Sequence, residues 1–141
     1  MREILFRGNI QGLTDWIYGY YAKSGENHFI LVDTDNEDNY SIVDPETVGE
    51  YTGLTDKDGR RIFEGDIVKL TDKSFGNKWK AVVEFGNPNG NYTWGWQLKP
   101  IGKAKNANTD ILCWVEMEET GAFCEIIGNK WDNPELLEVK E

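Results

Sequence analysis

Cysteine and histidine are scarce in this 141-residue chain: Cys113, Cys124 and His28 are the whole complement. Three such groups fall short of the four-ligand set of a structural zinc site, so no metal site and no cofactor are expected. Ten residues separate the two cysteines. Both lie on segments that read as neighbouring strands, and as small buried apolar groups they need no partner. Long hydrophobic runs are also missing: no stretch approaches the ~20 apolar residues of a membrane helix, and the opening MREILFRG lacks the apolar stretch of a signal peptide. The sequence therefore predicts a cytoplasmic protein with no membrane partner and with reduced thiols.

Catalytic groupings are equally thin. His28 stands in a Gly-Glu-Asn-His context with no evident partner, and Ser24, Ser41 and Ser74 sit in no nucleophile motif. Glu64 and Asp66 flank Gly65, but one short carboxylate pair without phosphate-cradling company reads as turn chemistry before acid–base chemistry. The window from Asp33 to Asp44 mimics a calcium loop, yet position six is Asp38 where glycine is required and position twelve is Asp44. Aligning Gly59 to position six puts Leu54 first and Gly65 last, which fails as well. The chain is read as non-enzymatic.

Aromatic and β-forming residues are abundant. Six tryptophans argue against disorder, and a chain of this size can bury about 68% of its unfolded surface. Ile4 to Arg7, Trp16 to Tyr21, Phe29 to Val32 and Tyr40 to Val43 read as an N-terminal β unit spanning residues 1–48. Pro45 opens a short helical turn that Asp44 is placed to cap. Asp56-Lys57-Asp58-Gly59 is a hairpin turn signal, and Ile62, Phe63, Ile67 and Val68 flank a second break at Glu64-Gly65-Asp66. Further strands are expected at Ala81 to Phe85 and Tyr92 to Leu98, where Trp94, Trp96 and Leu98 share one face. Ile111 to Met117 and Ala122 to Ile127 read as a hairpin, and Pro134 starts a brief helical turn through Leu137. Many short strands between Gly and Asn turns predict a mainly β fold, a small barrel or sandwich over residues 49–141 with only short helical turns.

The net charge is −10, unevenly spread. Residues 69 to 105 hold seven lysines against Asp72 and Glu84, a local +5, leaving −15 elsewhere. A positive groove with aromatic platforms is the recipe for holding single-stranded nucleic acid. Lys78, Trp79, Lys80, Lys99, Lys103 and Lys105 are the candidate residues, with Trp79 the aromatic expected to be exposed. Solvated surface lysines are the simpler account.

VDPETVGEYTGL, DKDG and IFEGDIV, followed by EIIGN at 125–129 and NPELL at 133–137, resemble the YopX family of small proteins from phages and prophages of Gram-positive bacteria. The likeness extends to REILFRG at 2–8 and WIYG at 16–19, while Asp72 to Thr120 shows no family pattern. The resemblance implies a single phage-derived domain over residues 1–141, working in the host cytoplasm and built around a small SH3-like barrel, and it implies no activity. The leading expectation is a protein-interaction module that binds an unknown protein or itself. The alternatives are a single-stranded nucleic-acid-binding module or an acidic decoy of a host nucleic-acid-binding protein.

Overall fold

A computed structural model describes residues 4–32, 39–74, 76–90, 95–102, 109–115 and 121–138. The chain divides into two compact units, Met1–Gly53 and Leu54–Glu141. The expected mainly β character is observed in both.

In the first unit, β1 (Phe6–Asn9), β2 (Trp16–Ser24), β3 (Asn27–Leu31) and β4 (Tyr40–Val43) form an antiparallel meander. The start of β5 (Gly49–Thr55) pairs with the free edge of β1, giving the order β4-β3-β2-β1-β5. Period-two alternation decides which side is buried. Ile30 and Val43 are the most enclosed side chains on one face, and Val43 packs flat on Gly8. Pro45–Thr47 is a short 3-10 turn, as its proline predicts, but Asp44 makes no side-chain cap. The Thr47 hydroxyl ties the turn to β1 instead, donating to the Asp44 carbonyl at 2.6 Å and accepting from the Asn9 amide at 2.9 Å.

In the second unit, the end of β5 is followed by β6 (Arg61–Phe63), then β7 (Asp66–Asp72), β8 (Asn77–Gly86), β9 (Gly95–Pro100), a five-residue helix α1 (Ile111–Val115) and β10 (Ala122–Asn129). A 3-10 turn at Pro134–Leu137 follows. The sheet is antiparallel in the order β10-β7-β8-β9. Val68, Leu70, Ala81, Val83, Leu98 and Cys124 point to one face and close a core with Ile62 and, from α1, Ile111 and Trp114.

Two expectations are corrected here. Ile111 to Val115 is helical and not the first strand of a hairpin, and β10 pairs with β7, 50 residues back in sequence. A short apolar run fits strand and helix equally. Asp110 decides for the helix, its carboxylate accepting from the Leu112 amide at 3.1 Å, while Ile111 and Trp114, three apart, share the buried side. Without that strand nothing joins β9 to β10, and among the described residues the sheet stays open where a closed barrel was expected. Trp96 and Leu98 do face the core together, whereas Trp94 and residues 33–38 lie outside the described residues. Cys113 accordingly sits on α1 and not on a strand beside Cys124.

Both cysteines are free. Cys124 is 1% exposed, and burial, followed by the negative charges of Asp56, Asp66 and Glu125, pushes its thiol up to about 12. A thiol so held is almost wholly protonated at neutral pH and a poor nucleophile. Native protein treated with iodoacetamide at neutral pH is therefore expected to be alkylated at half-buried Cys113 and to react at Cys124 only after unfolding, as read by peptide mass spectrometry. Replacing both with alanine should leave the fold in place at a cost of no more than about 3 kcal/mol in lost packing. Equal labelling rates at the two positions in the native state would contradict the burial.

Candidate functional site

The face of the second sheet opposite its core carries the lysines. Antiparallel partners share a face, so the register places Lys69 directly opposite Lys80, with Glu125 on the other flank of Lys69. Lys78 lies opposite Thr71, which in turn faces Phe123, and Lys99 lies opposite Val82. Lys78 and Lys99 are exposed, and Lys69 and Lys80 half-buried. None of these four makes an ion pair among the described residues. Two like charges directly across a ladder are unfavourable, so the Lys69 and Lys80 pair is maintained against a local electrostatic cost.

Three of the six residues singled out from the sequence, Lys78, Lys80 and Lys99, are thus brought onto one face. Trp79 is not. It turns inward, half-buried, with its ring edge-on to Trp114 at 5.7 Å between centroids. The expectation that Trp79 is exposed is corrected by the strand period: if Lys78 and Lys80 share a face, the residue between them takes the other. Lys103 and Lys105 lie outside the described residues.

Sequence reasoning passed over the aromatic that does lie on the lysine face. Phe123 has the ammonium groups of Lys57 and Lys73 over its ring at 5.2 and 5.4 Å. Lys57 also bridges Glu125 at 3.1 Å, and that hydrogen bond and charge raise its pKa. At the β9 end, a shallow groove of about 280 Å³ is lined by Val82, Glu84, Lys99, Lys130 and Leu137 among others. Glu84 and Glu125 are the acids of this face.

The first unit offers a different surface. Tyr20, Leu31 and Tyr40 form one row across β2, β3 and β4, and Ala22, Phe29 and Ile42 the next. Tyr18, Tyr20, Leu31, Tyr40 and Ile42 are exposed, Tyr20 by 52% and Tyr40 by 50%. No position of β2, β3 or β4 on this face is charged. Its edge toward β1 is held by Arg7, whose guanidinium lies 4.7 Å from the Trp16 ring centre.

His28 and Asp66, two of the groups considered for catalysis, and Asp56 each make defined contacts. His28 stacks on Tyr21, whose hydroxyl hydrogen-bonds the imidazole Nδ1. Asp66, 2% exposed, accepts from the Phe63 amide at 2.8 Å and pins the turn between β6 and β7. Asp56 closes the hairpin turn by accepting from the amides of Asp58 and Arg60, and from β10 it takes the Ile126 amide. Among the described residues no three His, Cys, Asp or Glu side chains gather as a metal-binding group, and no helix is long and apolar enough to cross a membrane.

A family model described as YopX protein matches residues 14–138. The chain belongs to the YopX family. A comparison with curated proteins finds no match.

The stretches that resemble YopX proteins build parts of β1, β2, β5, β6, β7 and β10 together with the turns that join or end them. Asp56 and Gly59 form the DKDG turn. Gly65 and Asp66 form the EGD turn. Asn129 accepts from the Trp131 and Asp132 amides through its side-chain oxygen, while Asn133 accepts from the Asn129 amide. In this YopX chain the lysine face draws on Lys73, Lys78, Lys80 and Lys99, together with Lys57, Lys69 and Phe123, all within the residues that the family model matches.

Proposed function

We propose that this YopX-family protein is a phage-derived, non-enzymatic interaction module of the host cytoplasm whose first unit docks onto a basic partner protein. The observation that carries this reading is the uncharged aromatic face of β2, β3 and β4. Interface centres are depleted in charge and enriched in tyrosine and other aromatics, with a polar rim, and Tyr20, Leu31 and Tyr40 reproduce that pattern in one row. Charge chooses the partner's chemistry. Residues 1–53 hold ten Asp or Glu against three Lys or Arg, a net of −7, which attracts a basic surface and disfavours a second −10 copy of the same chain. An acidic decoy of a host nucleic-acid-binding protein is one form of this reading. In this reading the second unit is an opened relative of the small SH3-like barrel.

The test is affinity capture with the tagged full chain, identification of what is retained, and titration of the purified partner. A Tyr20→Ser/Leu31→Ser variant should keep its melting temperature, since both positions are exposed, and should weaken binding at least about tenfold, as expected for residues at an interface centre. The partner should have a basic isoelectric point, and association should slow with added salt. Retention unchanged in the variant overturns the proposal. So does self-association in sedimentation that the variant abolishes, because the occupant would then be a second copy.

A further inference from the structure

We infer that the lysine face of the second unit is a binding site for single-stranded nucleic acid, separate from the aromatic face of the first unit. Lys69, Lys78, Lys80 and Lys99 project from one side of β7, β8 and β9 with no counter-charge within ion-pair distance among the described residues. Lys78 and Lys80 stand about 7 Å apart along β8, twice the ~3.4 Å rise of a strand. Lys69 and Lys80, as direct cross-strand partners, stand about 5 Å apart at Cβ. From Phe123 on β10 to Lys99 on β9 the track crosses three strand spacings, about 14 Å. A row of four cations at this spacing, with Glu84 and Glu125 on the same face but not ion-paired to them, is stabilised by a ligand that carries repeated negative charge.

The aromatic component selects the single strand. Phe123 lies on the same face, half-buried, in the row of Thr71 and Lys78, with the ammonium groups of Lys57 and Lys73 over its ring, flexible chains that a stacking base would displace towards its phosphates. An aromatic platform ringed by cations supplies both parts of single-strand recognition, base stacking and phosphate attraction. A duplex hides its base faces, so a stacking platform favours a single strand. Trp79, facing the core, takes no part.

The test is fluorescence anisotropy of a labelled oligothymidylate with the full chain across a salt series starting low. Four phosphate contacts predict a slope of log affinity against log salt of about −2.8, at about −0.7 for each contact on a single strand. Lys69→Gln/Lys80→Gln should flatten that slope by about 1.4 without lowering the melting temperature, because a repulsive pair is removed. Phe123→Ala should weaken binding about 5- to 150-fold, the range expected for one stacked base, and leave the slope unchanged. Trp79→Phe, which keeps an aromatic ring in the core, should leave affinity unchanged. No retention even at the lowest salt overturns the site. Equal or tighter binding of a duplex, of heparin or of anionic vesicles overturns the single-strand assignment. The Tyr20→Ser/Leu31→Ser variant should bind the oligonucleotide like the unaltered protein, so this proposal and the partner-docking reading fail separately.

Discussion

Replacing Asp56 with alanine is expected to remove about 3–5 kcal/mol from the stability of the second unit, a large share of the roughly 5–15 kcal/mol that holds a domain folded. The Asp56 side chain is fully enclosed. Its carboxylate accepts from the amides of Asp58 at 3.0 Å, Arg60 at 2.9 Å and Ile126 at 3.0 Å, and from Arg60 Nε at 3.2 Å. Hydrogen bonds to a charged acceptor contribute about 1.5–3 kcal/mol each, less than additively when they share one group. Alanine would also leave the part-buried Ile126 amide without its acceptor. Arg60 is the lesser partner: its side chain is 53% exposed, so Arg60→Ala should cost about 1 kcal/mol or less from the ion pair. Urea unfolding measures both, and a loss below about 1 kcal/mol at Asp56 would show that the turn is held by other means.

The same carboxylate sets an acid limit. Burial by itself would raise its pKa, but the amides of Ile126, Arg60 and Asp58 and the Arg60 guanidinium outweigh this and hold it below the ordinary 3.8. A depressed folded-state pKa means that the contribution is fully present above the unfolded value and lost as pH falls through the folded one. Stability should decline on acidification below pH 3.8, and Asp56→Asn, which keeps the shape without the charge, should flatten that decline. An unchanged acid profile in the asparagine variant would assign the acid lability to other carboxylates.

Gly65→Ala is expected to cost about 2–5 kcal/mol, combining about 1–2 for a left-handed alanine and about 1–3 for overpacking. Gly65 has φ +90°, in the region that favours glycine, and a Cβ there would overlap the Trp131 ring. The turn has little freedom to yield, because the Gly65 amide donates to the Val83 carbonyl at 2.8 Å and its carbonyl accepts from the Lys130 amide at 3.0 Å. A double-mutant cycle separates the two causes. With Trp131→Ala the overlap disappears and the backbone cost stays, so the double variant should be more stable than the sum of single losses predicts, by about 1–3 kcal/mol. Strict additivity would mean that the ring does not press on the turn.

The turns at Asp56 to Gly59 and Glu64 to Asp66, the helical turns at Pro45 and Pro134, and the inward face of Trp96 and Leu98 were legible in the sequence. Each depends on interactions within a few residues or on the period of two within one strand. The YopX likeness was legible because it rests on short contiguous stretches, strand pieces with the turns between them. Lys78 and Lys80, two apart, also carried the information that Trp79 points the other way. That Ile111 to Val115 coils into a helix and leaves the sheet open depended on which face Ile111 and Trp114 could bury. That β10 runs beside β7, bringing Phe123 into the row of Thr71 and Lys78, depended on pairing between segments far apart in the chain. Local sequence determined where this protein bends and which residues alternate. Only the tertiary structure decided which strands meet, because register is fixed by the burial of a whole face at once, and with it which lysines share a surface and which aromatic stands among them.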